Sequence, residues 1–346
     1  MSLDEDAVRI HMDSLVVDTH CDTLKCLSPS FTGTLNSMWV DRSRGGLGIR
    51  GESGHVDIPR LREGGVDCQV FAISSIRDRT PPFALRTAME TLDIFHAECD
   101  KNRDAIVPVV TYDDIIRANR AGRVAALLSI EGADVIEGSI GTLRMLYRLG
   151  VRMVGLVHSL RNLLADGVED SRTKGGLSEL GVQVVQELFR LGVVIDVSHL
   201  SDSGFWDLID LVKGPIVASH SNCRALCNHP RNLTDDQIRA LAERGGVIGM
   251  NFAPFFIVPD EKLRTGRITN VEDLVEHVDH ILDLDGSNHI GLGSDFDGIP
   301  STPVGLEDVS KMPNITKALV RRGYSEKDIK RILGENHLRV FKKVIG

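Results

Sequence analysis

Short apolar runs alternate with longer amphipathic stretches along almost the whole chain, the pattern of repeated strand–helix units that build a parallel sheet. Eight runs read as strands, at residues 15–17, 66–73, 125–130, 154–157, 193–198, 215–219, 247–251 and 290–294. A ninth, 106–110, contains Pro108, which cannot donate to a ladder and so predicts an edge strand or a connection. The stretches 139–149, 179–191 and 314–322 read as helices, because Gly150, Gly192 and Gly323 stand where a left-handed residue closes a helix. Ser201 and Thr234 predict N-caps with acidic first turns, and Ser325 with Asp328 predicts a capping box opening a last helix over 325–343. Eight strands with helices between them predict a (β/α)8 TIM-type barrel, and with no repeat or linker to divide it, a single domain over 1–346. Residues 28–57 break the alternation with Pro, Ser, Asn and a glycine-rich segment at 45–51. They predict a long loop after the first strand that covers the barrel mouth or touches substrate. A phosphate-binding loop would need the Lys-Ser/Thr pair and the strand–turn–helix context that are missing here.

A parallel barrel gathers the C-terminal ends of its strands at one mouth. Six of the apolar runs lead directly into side chains that can bind metal or move protons: His20 and Asp22, Glu131, His158, His199, His220 and Asp295. His20 and Asp22, two apart on a strand end, face the same way and form a partial shell for a divalent ion. His199 and His220 offer a second pair, and Glu131 can bridge two metals through its two oxygens. Three histidines and two carboxylates suit zinc or a similar borderline ion better than magnesium or calcium. Each residue also has a bland explanation, as a hydrogen-bonded structural histidine or a helix-capping acid. Five such coincidences on the strand ends of one barrel are harder to sustain, so the pattern predicts a two-metal centre.

Two metals close together lower the pKa of a bridging water, giving a hydroxide suited to hydrolysis of an amide, ester or phosphoester. Asp295 is then placed as the proton shuttle, and His158 as a group that steadies the oxyanion. Arg231, in the loop after His220, can clamp a substrate carboxylate bidentately. His55, His229 and Asp297 read as bystanders. Cys21 lies between two candidate ligands, but strand alternation points it away from them.

Composition narrows the field. With 40 Lys and Arg against 49 Asp and Glu, the net charge of −9 argues against a nucleic-acid partner. No segment has the apolar length of a membrane span, and the acidic start, Asp4-Glu5-Asp6, is unlike a secretory signal. Six cysteines without framework spacing predict reduced thiols and a cytoplasmic protein. Asn232 and Asn314 match the glycosylation sequon but carry no weight without a signal.

The segments 18–24, 129–133, 196–202, 218–222, 228–235, 291–298 and 334–340 together resemble the renal (membrane) dipeptidase family, in order and over nearly the whole chain. The resemblance implies a dipeptidase with two Zn2+ ions on an amidohydrolase-type barrel. By motif, His20 and Asp22 would bind one zinc, His199 and His220 the other, and Glu131 would bridge them. His158 would contact substrate, Arg231 would hold its C-terminal carboxylate, and Asp295 would move the proton. It further implies a dipeptide as partner, tolerance of a D-residue at the C-terminal position, and a homodimer. The chain departs from membrane-attached members in lacking their signal and anchor, which points to a soluble, bacterial-type enzyme without membrane association. Two rivals stand beside this reading. One is another dinuclear hydrolase of the same fold, such as an N-acyl amino acid hydrolase or lactonase. The other is a catalytically silent barrel that only binds a ligand. Most such hydrolases begin with H-x-H rather than the H-x-D of His20 and Asp22, and a silent binder has no use for Asp295.

Overall fold

The computed structural model describes residues 2–28, 45–74 and 84–346, so most of the predicted mouth-covering loop (29–44) lies outside the described residues. Among the described residues there are nine strands: Val16–Cys21 (β1), Val66–Ser74 (β2), Ile106–Val109 (β3), Val124–Glu131 (β4), Val151–Gly155 (β5), Val194–Asp196 (β6), Val217–Ser221 (β7), Val247–Met250 (β8) and Ile290–Leu292 (β9). Eight of them close a parallel ring in the order β1-β2-β4-β5-β6-β7-β8-β9, with Asp18 opposite Leu292 sealing it. The fold is a (β/α)8 barrel. β3 stands outside the ring. It pairs only with residues 124–127 of β4, along the edge whose residues 128–131 pair with β5. Pro108 therefore sits on an edge strand, where its missing N–H costs no ladder bond.

The predicted punctuation is largely present. The helix Glu179–Leu191 ends at Gly192, whose φ of 69° is the left-handed conformation a β-carbon disfavours. Ser201 and Thr234 both cap their helices, and Thr234 forms a full capping box with Gln237. The last helix differs. Ser325 caps Glu326–Lys330, but the run widens into a π-helical turn at Arg331–Glu335 before Asn336–Val344 resumes. No helix among the described residues is long and apolar enough to cross a membrane.

Two apolar layers surround the strands. Val17, Val70, Leu127, Met153, Val194, Val217 and Val247 fill the inside of the ring, closed below by Leu338, Val340 and Phe341 from the last helix. Cys21, Phe71, Leu128, Ile130, Val154, Ile195 and Ala218 belong to the outer layer against the surrounding helices. Plain alternation carries β4 from Ala125 and Leu127 inside to Glu131 inside. β1 and β7 do not alternate strictly. Between Asp18 and Cys21, three steps on β1 oppose two on β2, and between Ala218 and Ser221, three on β7 oppose two on β8. Each irregularity adds one residue, which is how a bulge re-aims a side chain. With Val17 and Val217 inside, strict alternation would turn His20 and His220 outward; the extra residue turns them in.

Candidate metal centre

His20 and His220 lie within strands and Glu131 ends one, whereas His158, His199 and Asp295 lie just beyond strand ends. His199 and Asp295 adopt left-handed backbone (φ 68° and 61°), as do Ser159 and Asp297 nearby (both 64°). Non-glycine residues hold this conformation only where their surroundings enforce it, and functional sites are where such strain gathers.

All seven predicted residues of the centre come together. Glu131 Oε1 stands 2.9 Å from His199 Nε2, 3.5 Å from His220 Nε2, 3.6 Å from His20 Nε2 and 3.8 Å from His158 Nε2. The Nε2 atoms of His199 and His220 are 3.0 Å apart. Asp295 Oδ1 is 4.0 Å from His20 Nε2, and donor atoms of His20, Asp22 and Asp295 all lie within 4.8 Å of one another. Glu131 does not present both oxygens equally: Oε2 accepts a 2.7 Å bond from Ser74 Oγ, leaving Oε1 to the imidazoles.

The surroundings orient these ligands. Ser219 Oγ donates to Asp196 Oδ2, so it must accept from His220 Nδ1, 2.7 Å away. His220 therefore carries its proton on Nδ1 and turns the bare Nε2 lone pair into the site, the second-shell arrangement metal-binding histidines use. His199 Nδ1 is held by Ser159 Oγ at 2.8 Å. Asp18 accepts from Ser294 N, Ser294 Oγ and His20 N, tying β1 to the turn that carries Asp295. Gly298 completes this turn. A β-carbon there would lie 2.2 Å from Asp22 Oδ2 and 2.4 Å from Asp295 Oδ1, so only glycine lets both carboxylates approach.

The donor set fits divalent cations. His20 Nε2 and Asp22 Oδ1 are buried with no hydrogen-bond partner among the described residues, an expensive state for polar atoms unless something else binds them. Burial opposes a charge on His20, yet Glu131, Asp22 and Asp295 outweigh it and raise the pKa above its ordinary value. Positive charge is what this point favours. Burial, helped by Arg231, keeps His199 neutral; burial, helped by His20 and Arg231, does the same for His220, leaving both imidazoles free to coordinate. Against the effect of its own burial, the imidazoles of His158 and His20 hold the Glu131 carboxyl well below its usual range. Asp295 goes the other way: burial, with Asp22 and Glu131 nearby, pushes it up to about 6 against the pull of His20.

A cavity of about 390 Å3 opens over these atoms and reaches Arg231, His229, Phe255 and Phe256. Arg231 is only 5% exposed. Its Nη2 donates to His220 O, its guanidinium lies 5.4 Å from the Phe256 ring centroid, and its Nε has no hydrogen-bond partner among the described residues. It makes no ion pair among the described residues, so a buried positive charge faces the cavity.

Some secondary readings need correction. His229 is no surface bystander: it lines the cavity, packs its ring at a tilt against Phe256 with centroids 4.6 Å apart, and accepts the Arg231 N–H on Nδ1. His55 and Asp297 stay out of the metal cluster but brace it, Asp297 N donating to His55 Nδ1 and Asp297 accepting from His55 N and Thr23 Oγ1. Cys21 points into the outer core, and none of the six cysteines forms a disulfide among the described residues. The Asn232 sequon is buried, its side chain donating to Cys227 O and Phe256 O to hold the Arg231 turn. Sequence reasoning missed Lys25, Ser74, Asn251, Asp18 and Asp196. Only the position of Asp18 and Asp196, buried acids on strands next to ligand-bearing ends, offered a signal.

Comparison with known proteins converges on the same chemistry. Residues 4–345 match the family model described as membrane dipeptidase (peptidase family M19). The chain is 36% identical over 301 residues to dipeptidase verJ of Clonostachys rogersoniana, covering 84% of this chain and 76% of that protein. It is 35% identical over 343 residues to an uncharacterized dipeptidase of Schizosaccharomyces pombe, covering 95% and 80%. A Rhodobacter sphaeroides metallopeptidase, solved with a phosphinate mimic of the dipeptide L-Ala-D-Ala, superposes with a TM-score of 0.84 at 28% identity over 96% of this chain and all of that one. With a barrel mouth that gathers metal-binding donors beneath an unpaired arginine, the chain belongs to the membrane dipeptidase family, peptidase family M19, and is a metal-dependent dipeptidase.

Proposed function

We propose that this dipeptidase works through two zinc ions and accepts L-Xaa-D-Xaa dipeptides. The observation that carries this reading is the convergence of donors: four imidazole Nε2 atoms lie within 3.8 Å of one Glu131 oxygen, and His20 Nε2 and Asp22 Oδ1 are buried without a hydrogen-bond partner among the described residues. His20 and Asp22 would hold one ion and His199 and His220 the other, with Glu131 between them. Three imidazoles and two carboxylates form a borderline donor set that suits zinc. When bound, the ions supply the acidity that makes water a nucleophile at neutral pH and polarise the scissile carbonyl.

The chain's own groups do the rest. Arg231 pairs with the substrate's C-terminal carboxylate, which satisfies its free Nε and orients the peptide. Asp295, steadied by a 2.9 Å bond from Asn251 Nδ2 to its Oδ2, takes the proton of the attacking water and passes it to the leaving amine. His158, 23% exposed on the cavity wall, donates to the carbonyl oxygen as it becomes anionic. The dipeptide analogue held by the Rhodobacter sphaeroides relative supports acceptance of an L-Xaa-D-Xaa substrate. The buried, unpaired Arg231 favours a substrate with a free carboxylate over a lactone.

The test is a hydrolysis screen of zinc-loaded protein against L-L and L-D dipeptides, N-acylated amino acids and lactones. We expect cleavage of dipeptides, L-D pairs included, abolished by chelation. Hydrolysis confined to lactones or N-acyl amino acids would discard this substrate assignment.

A further inference from the structure

Lys25 lines the wall of the cavity, three residues after Asp22, with its side chain only 11% exposed. Its Nζ lies 2.7 Å from Asp22 Oδ2, while Asp22 Oδ1 is buried and has no hydrogen-bond partner among the described residues. Asp22 occupies the N-cap position of the short helix Thr23–Leu27, yet its side chain accepts none of that helix's N–H groups. The carboxylate is thus divided: one oxygen is taken by an ammonium, and the other is left for the site. The backbone holds this arrangement independently of Lys25, because Asp22 N donates to Phe296 O at 2.8 Å.

We infer that Lys25 is a positioning residue that keeps Asp22 a one-oxygen ligand and sets how tightly, and how electrophilically, the His20/Asp22 half of the centre holds its ion. This rests on the two-ion reading above. A lysine on the far oxygen withdraws charge from the carboxylate and repels the incoming cation, so the ion there binds more weakly and polarises its ligands more strongly. Lys25 also offsets the crowding of Asp22, Asp295 and Glu131 around His20 when no ion is bound, which stabilises the metal-free form. Both effects act in one direction: removing the charge tightens metal binding. A merely structural role would loosen it.

The experiment titrates zinc-loaded parent, Lys25→Met and Lys25→Arg proteins with a chelator, following released zinc with a chromophoric indicator. We expect two ions per parent chain. In Lys25→Met one release phase should shift about tenfold toward higher chelator, the scale of one nearby charge repulsion removed, and the other stay in place, with kcat lowered and KM unchanged. Lys25→Arg, which keeps the charge, should return toward the parent curve. If Lys25→Met does not fold, Lys25→Gln replaces it. Superposed parent and Lys25→Met curves, or looser binding in the variant, would overturn the inference while leaving the two-ion centre intact. A His20→Ala protein that binds as much zinc as the parent would overturn both.

Discussion

Arg231 has a full positive charge, almost no solvent and no carboxylate partner among the described residues, an arrangement that costs stability until a ligand supplies the counter-charge. Arg231→Ala should therefore cut kcat/KM for dipeptides by roughly 10–100-fold, the worth of one charge-assisted contact, and act mainly through KM. Ester substrates lacking the carboxylate should be nearly unaffected, and parallel kinetics on the two classes decide the point. Asp295, proposed as the proton carrier, is different in kind, since such a group acts on kcat. Asp295→Asn should lower turnover by about 10²–10⁴ with metal content unchanged, which steady-state rates and elemental analysis check together. At this scale the sequence was informative for the candidate ligands, because His20, Glu131, His199 and His220 stand at the ends of apolar runs. It was blind to Lys25 and Asn251. Neither sits at an unusual spacing, and what makes them matter is a contact made only in the folded chain.

The elements explain why those ligands meet. Alternation delivers Glu131 to the inside, but His20 and His220 arrive only because β1 and β7 each carry an extra residue. The sequence showed strands and missed the bulges, since one inserted residue leaves no mark in composition or periodicity. The inference that His20 and Asp22 share a face thus led to the same cluster without the bend that puts them there. Edge strand β3 was legible because Pro108 is a chemical signal rather than a pattern. So were the helix ends at Gly192, Ser201 and Thr234. The π-helical turn at Arg331–Glu335 was not, because nothing local distinguishes it from a continuous helix. The turn after β9 carries the sharpest prediction at this scale. Gly298→Ala places a methyl group against both Asp22 and Asp295, so the variant should keep its far-UV CD spectrum but lose at least one ion and most of its turnover. A fully loaded, active Gly298→Ala protein would mean that the two carboxylates need not sit so close.

Across the molecule, the barrel places polar chemistry at one mouth and encloses several neutral histidines elsewhere. His277 accepts the Cys223 N–H on Nδ1 and donates from Nε2 to Ile257 O, a pattern only the neutral ring can make. Burial pushes its pKa down from 6.5 to about 4. The unfolded chain therefore binds more protons than the folded one between these values. The stability His277 contributes is complete above pH 6.5, drains as pH falls through 4, and amounts to on the order of 3 kcal/mol. Thermal melts from pH 7.5 to 4 should fall accordingly, and His277→Gln should flatten that slope even if it lowers the melting temperature throughout. An unchanged slope in the variant would assign the acid sensitivity to other groups.

The two-ion centre itself is most directly tested by anomalous diffraction from zinc-soaked crystals at the zinc edge. The proposal predicts two peaks, separated by the roughly 3.5–4 Å usual in two-metal sites, one bounded by His20 and Asp22, the other by His199 and His220, with Glu131 between them. A single peak, or two peaks that leave His20 and Asp22 uncoordinated, would contradict it.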